Sequence, residues 1–212
     1  MRPDEAIFGE DTITANVSAV EIQTIAARMR SSSLWEEVVP GMADITVKYD
    51  PAKMRLDTAH QHFDTQISVD TGGIETAHSR APALLAARFD GIYAPDAAMV
   101  CEALGIAVND LPHWLEQRRY TVSMMGFQPG FAYLADSDGA DLPAIARLET
   151  PRQRVAAGSI GFLGGKACIY ALDGPGGWPI IGRVTAKLFD PERGDNPALL
   201  APAQQVQFTH GD

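Results

Sequence analysis

Cysteine is scarce in these 212 residues, basic charge is outweighed, and no apolar run is long. The two cysteines, Cys101 and Cys168, stand far apart with neither metal-type nor redox-type spacing, so a disulfide framework is excluded as the source of stability and a reduced cytoplasmic setting is expected. Seventeen Lys and Arg against 27 Asp and Glu give a net charge of -10, which argues against nucleic acid or an anionic membrane as the main partner. No stretch reaches the length a membrane span requires, and the N-terminal "MRPDEAIFGEDTITANV" carries acids where a secretion signal would be apolar. With 46% apolar and 21% charged residues, the chain can bury a full core, and its length suits one large domain or two small ones.

The first third reads as a small α+β unit. "TITANV" from Thr12 suits a strand, and Ser18 is placed to cap a helix in which Val20, Ile22, Ile25, Ala26 and Met29 recur at helical spacing. "WEEVVPGMADITVKYD" reads as two short strands about Pro40-Gly41, with Ile45, Val47 and Tyr49 alternating against polar neighbours. Pro51 opens a further helical stretch, and His62 to Val69 turns strand-like. Strand, helix, strand pair, helix is the order of a ferredoxin-like module, assigned to residues 1–68. A boundary is expected near 68/69, and the tail through "RAPALLAARFDG" shows no clear period.

Residues 69–212 form the second expected domain. It begins with two short helices: one opened by Pro95-Asp96 and ended by Gly105, the other opened by Asn109-Asp110. A DNA-reading pair would need a basic second helix, so packing on a sheet is preferred. From Tyr120 on, the short runs "YTVSMM", "SIGFLG", "ACIYAL", "WPIIGRVTAKLF" and "QVQFTH" alternate with Gly, Pro, Asp and Asn clusters, which predicts a closed β-barrel or sandwich.

Three familiar catalytic arrangements fail on context. Ser159 in "AGSIG" approximates a nucleophile elbow but lacks the helix that must follow. A phosphate loop at Gly164-Gly165-Lys166 would put its first glycine at Ile160 and its hydroxyl at Ala167. His60 and His62, two apart on a helix, point in different directions, so no metal site is expected from them and His78.

What remains is the dense segment from Met124 to Arg183. Glycines there free backbone amides and aromatics supply walls, while Arg152, Arg154, Lys166 and Arg183 concentrate positive charge in an acidic chain. Such a mixture suits a small anionic ligand carrying a carboxylate or phosphate. The bend in "MMGFQPGFAYL" is either a plain turn between two buried strands or a loop that brings backbone to a ligand.

The blocks "GFQPGFAYL" at 126–134, "PRQRVAAGSIGFLGGKACIYA" at 151–171 and "GPGGWPIIGRV" at 174–184 resemble the family of 5-oxoprolinase B-subunits, also labelled allophanate hydrolase subunit 1 or KipI-like. The resemblance implies a ferredoxin-like N-terminal domain followed by a cyclophilin-like β-barrel, with the Gln128-Pro129-Gly130 bend lining the barrel's pocket. It further implies a cytoplasmic, non-autonomous subunit of an ATP-dependent lactam hydrolase. Its partners would be a carboxyltransferase-like subunit and a subunit that hydrolyses 5-oxoproline. A KipI-like inhibitor of a histidine kinase, or half of a biotin-dependent urea or allophanate carboxyltransferase, is the alternative. Carried onto this chain, the resemblance makes Phe127, Phe131, Tyr170 and Trp178 walls and lets Arg154, Lys166 or Arg183 grip the anion. Gly130, Gly158, Ser159, Gly176 and Gly177 complete the expected site, and no nucleophile or general base is named. Where the family pattern has Gln-Thr-Gly, this chain has Lys166-Ala167-Cys168, which would favour a more acidic ligand.

Overall fold

A computed structural model describes residues 5–8 (backbone), 11–17, 21–68, 80–194 and 196–211, and the chain divides into two compact units, 1–79 and 80–212. The boundary expected at 68/69 abuts residues 69–79, which lie outside the described residues.

In the first unit, β1 (Glu5–Phe8), β2 (Thr12–Asn16), β4 (Asp44–Lys48) and β3 (Glu37–Pro40) form an antiparallel sheet in that spatial order. Strand alternation puts Ile13, Ala15, Ile45 and Val47 on one face, Ile13 opposite Val47 and Ala15 opposite Ile45. Helix α1 (Ile22–Ser31) presents Ile22, Ile25, Ala26 and Met29 to that core, an i, i+3, i+4, i+7 stripe. Ser18 and Val20 lie outside the described residues. Helix α2 (Leu56–Ser68) starts five residues after Pro51, and it corrects the strand-like reading over His62 to Ser68, Val69 lying outside the described residues. Ala59 and Phe63 are buried and Ile67 packs beside them at i, i+4, i+8, so a helical stripe overrides the local β-like composition.

The second unit is built on a closed seven-stranded barrel. Its strands are β5 (Ala83–Arg88), β6 (Tyr120–Met125), β7 (Ala132–Asp136), β9 (Ser159–Phe162), β10 (Lys166–Ile169), β12 (Ile180–Val184) and β13 (Gln205–His210). The order around the barrel is β10-β7-β6-β13-β5-β12-β9, closed by β9 on β10, with only the β13–β5 pair parallel. β5 comes from the segment whose sequence shows no period. Its buried residues are Leu85 and Ala87, and alanine on both faces hides the alternation.

All seven strands send alternate side chains into one cluster, among them Ala87, Val122, Leu134, Phe162, Ile169 and Phe208. Helices α3 (Ala97–Leu104) and α4 (Leu111–Glu116) add Val100, Cys101, Leu111 and Leu115 to it. Gly105 ends α3 in the left-handed conformation, φ 68°, as its sequence position predicts. The inward side chains of the barrel are therefore packed core. A two-stranded ribbon, β8 (Arg152–Val155) and β11 (Gly174–Gly176), lies outside the barrel circuit. Among the described residues, no helix is long and apolar enough to cross a membrane.

Candidate functional site

The bend at 126–131 is the β6–β7 hairpin turn, closed by the Gly126 N–H donating to the Phe131 carbonyl at 3.2 Å and the Phe131 N–H donating to the Gln128 carbonyl at 3.0 Å. Its Phe127 and Phe131 also line a cavity described below, while Gln128, Pro129 and Gly130 do not. Gly130 sits at φ 75°, where an added Cβ would come within 2.8 Å of the Phe189 Cβ. The turn thus depends on a glycine for both conformation and space.

Alternation sets the opposite face of these strands. While Ala132, Ala167, Ile169 and Ile181 point inward, Phe131, Cys168, Tyr170, Trp178 and Ile180 form a second cluster on the outer face, joined by Val155 from the ribbon. Aromatic rings dominate it: Phe131 to Tyr170 at 5.0 Å between centroids, Phe131 to Tyr133 at 4.8 Å, and Tyr133 to Trp178 at 6.1 Å. Burial pushes the Tyr170 phenol up to about 12 and raises that of Tyr133. Both hydroxyls are neutral at ordinary pH.

Two cavities open beside this cluster. The aromatic cavity, about 230 Å³, is lined by Phe127, Phe131, Tyr133, Tyr170 and Trp178, together with Gly176, Gly177, two prolines and Arg147. Gly176 leaves no room for a Cβ against the Tyr170 ring. Phe127 is unusual: a non-glycine residue at φ 73° with 61% of its surface exposed. Left-handed backbone costs such a residue about 1–2 kcal/mol.

The second cavity, about 270 Å³, is lined by Arg152, Arg154, Ser159 and Arg183 with Ile92, Pro95 and Ile180. Its arginines are not equivalent. Arg154 is committed to Asp173, donating from Nε at 3.0 Å and Nη2 at 2.6 Å. The Ala157 N–H and Arg154 hold the Asp173 carboxyl below its usual range. Arg152 donates to Asp96 Oδ1 at 2.7 Å, and Asp96 Oδ2 accepts from the Ile180 N–H at 2.6 Å. Arg183 has no ion pair among the described residues; it lies over the Tyr93 ring at 5.1 Å, and its buried Nε lacks a hydrogen-bond partner. Among the described residues Arg183 is the arginine of this cavity that makes no ion pair, although its charge also helps to lower the Asp173 carboxyl. Gly158, at φ 83°, lets the chain pass so near the Val184 carbonyl that a Cβ would sit 2.5 Å from its oxygen, and its own carbonyl accepts from the Val184 N–H.

Of the expected residues, Phe127, Phe131, Tyr170, Gly176, Gly177 and Trp178 line the aromatic cavity and Arg154, Ser159 and Arg183 the second, while Gly130 and Gly158 line neither. Lys166 joins neither: it begins β10 opposite Ala135, exposed, and lines neither cavity. Ala167 belongs to the barrel interior and Cys168 to the outer cluster, so the Lys-Ala-Cys departure changes packing more than cavity charge. Arg147 and Asp96 were not expected. Arg147 lies in an irregular segment before the "PRQRV" block, and Asp96 reads locally as a helix opener.

No activated nucleophile stands among the described residues of the site. Ser159 is buried at the start of β9 with no helix after it, and burial raises the Cys168 thiol far above its ordinary value. Among the described residues no three His, Cys, Asp or Glu side chains gather as a metal site. The arrangement can bind and stabilise charge.

The family model described as "Carboxyltransferase domain, subdomain C and D" matches residues 7–200. The B-subunit of 5-oxoprolinase from Escherichia coli O157:H7 is 33% identical over 192 residues, covering 90% of this chain and 85% of that protein. Among solved structures, TTHA0988 superposes with a TM-score of 0.77 at 22% identity, over 95% of this chain and 40% of its own length. The Kluyveromyces lactis urea carboxylase superposes at 0.73 and 16% identity, over 98% of this chain and 22% of its own. These last two likenesses establish shared fold.

Proposed function

Because the chain belongs to the carboxyltransferase-domain family, subdomains C and D, and within it to the group of 5-oxoprolinase B-subunits, we propose that it is the substrate-binding subunit of an ATP-dependent 5-oxoprolinase. Its partners in this reading are a carboxyltransferase-like subunit and a subunit that hydrolyses 5-oxoproline. Its first unit is read as ferredoxin-like, with β1 occupying the sheet position beside β2, and its barrel as cyclophilin-like. The observation that carries the proposal is the convergence of the blocks 126–134, 151–171 and 174–184 on one outer face of the barrel around two cavities, one aromatic and one arginine-lined.

That division suits the chemistry. Opening a lactam requires activation of a stable amide, and phosphorylating its carbonyl oxygen with ATP builds negative charge that a fixed guanidinium stabilises. Arg183, the cation without a carboxylate partner among the described residues, is assigned that role; Arg154 is held by Asp173. Water attack on the activated carbonyl is left to groups of the partner subunits. The test is glutamate formation from 5-oxoproline and ATP by the chain alone and by the chain purified with its partners. Turnover confined to the complex is expected. An intact complex that turns over a urea-like substrate instead, or binds a histidine kinase without turnover, overturns the proposal in favour of those readings.

A further inference from the structure

We propose that Tyr93 is the positioning residue of Arg183: its ring holds the guanidinium beside the second cavity without neutralising it, so that the charge stays available to an anion. This role for Tyr93 rests on the reading of Arg183 as the cation that stabilises developing charge.

Arg183 on β12 stands opposite Arg88 on β5 in the antiparallel register, a like-charge pair that a sheet disfavours. Arg88 has a carboxylate, with Asp90 Oδ1 at 3.5 Å from its Nε. Arg183 has none among the described residues, and its buried Nε lacks a hydrogen-bond partner. What meets both cations is Tyr93: the Arg88 Cζ lies 4.4 Å and the Arg183 Cζ 5.1 Å from the centroid of its ring. Both distances fall within the range over which a ring quadrupole attracts a guanidinium. Arg88 Nη1 also donates to the Tyr93 hydroxyl at 3.5 Å.

The chain on either side fixes the ring's place. Tyr93 ends a single 3₁₀ turn, Gly91–Tyr93, between β5 and α3, and its N–H donates to the Asp90 carbonyl at 3.0 Å. Phe89 before the turn and Ala94 after it are buried, and Asp96 ties the chain to Ile180 on β12. Tyr93 itself is half-buried and does not line the second cavity, although its neighbours Ile92 and Pro95 do. It therefore acts through Arg183 and not on a ligand. A carboxylate in its place would hold Arg183 but cancel its charge. One is within electrostatic reach: Asp173, already paired with Arg154, has its carboxyl lowered in part by Arg183. Contact with a ring keeps the guanidinium from that pairing and leaves its N–H donors to a ligand.

The test places phenylalanine and its mono-, di- and trifluorinated analogues at position 93. They keep the shape of the ring while draining its quadrupole, which separates attraction for the cation from packing. In the chain alone, the Arg183 Nε–H signal of a nitrogen–proton spectrum, identified by its loss in Arg183→Lys, should exchange with solvent as slowly in Tyr93→Phe as in the native chain. Along the fluorinated series its exchange should quicken, by about tenfold at the end. In the assembled complex kcat should fall along the same series by up to about tenfold with KM held within about twofold, and the series should have no effect in an Arg183→Gln background. An Nε–H signal indifferent to fluorination overturns the proposal. So does, in an active complex, a kcat that stays flat along the series or falls equally in Arg183→Gln. An intact complex without 5-oxoproline turnover overturns the oxoprolinase reading instead, while the Nε–H series still decides whether Tyr93 holds Arg183.

Discussion

Asp96 joins three parts of the second unit and its removal should be felt in both stability and function. Its Oδ1 accepts from Arg152 on β8 at 2.7 Å, its Oδ2 accepts from the Ile180 N–H on β12 at 2.6 Å, and its backbone precedes α3. The Asp96 side chain is 12% exposed and that of Arg152 32%, so water screens the pair only in part. Each charge-assisted bond contributes about 1.5–3 kcal/mol, and stranding a partly buried guanidinium adds to the loss. Discounting for the exposure of Arg152, Asp96→Ala should cost about 3 kcal/mol. Asp96→Asn retains an acceptor for Ile180 and should cost about half as much. At about 2–4 °C per kcal/mol for a chain of this size, the Ala variant should melt roughly 6–12 °C lower. Urea unfolding followed by tryptophan fluorescence in a Trp35→Phe background isolates the barrel, because Trp114 and Trp178 both lie in the second unit. Since Arg152 lines the second cavity, anionic-ligand affinity should fall as well. An Asp96→Ala cost below about 1 kcal/mol would refute the reasoning.

In the assembled complex Lys166→Ala should leave turnover within about twofold, while Arg183→Gln should lower kcat about tenfold or more; steady-state kinetics decides, and the opposite ranking contradicts the assignment. The raised Tyr170 phenol binds its proton more tightly folded than unfolded, so its contribution to stability is complete below the ordinary tyrosine range near 10. It is lost as pH rises through about 12, and a phenolate absorbance titration set beside unfolding curves should show that alkaline window.

Much of the barrel was legible because its strands carry β-branched and aromatic residues between glycine and proline breaks, as in "YTVSMM" and "QVQFTH". β5 was not, since "ALLAAR" places alanines on both faces and erases the contrast that marks a half-buried strand. The error at His62 to Ser68 has a related cause: a short window hides the Ala59, Phe63, Ile67 stripe that only a longer helix reveals. The candidate site residues were suggested by the composition of the Met124–Arg183 segment and by the family resemblance, and their grouping into two cavities was not legible. Tyr170 and Ile169 are adjacent in sequence and lie on opposite faces, one in the outer aromatic cluster and one in the barrel interior. Only the barrel's closure tells which face is inside. Arg147 was invisible for another reason: an irregular segment has no period, and its arginine reaches the cavity through tertiary placement alone.

The three tryptophans report on three different places, which makes one measurement decisive. Trp35 belongs to the core of the first unit, Trp114 packs on Phe162 at 5.9 Å between ring centroids beside the barrel interior, and Trp178 lines the outer aromatic cavity. In a nitrogen–proton correlation spectrum of the chain titrated with 5-oxoproline, the Trp178 indole signal should shift saturably while those of Trp35 and Trp114 stay in place. Movement of Trp35 or Trp114 with Trp178 unchanged would contradict a binding site on the outer face of the barrel.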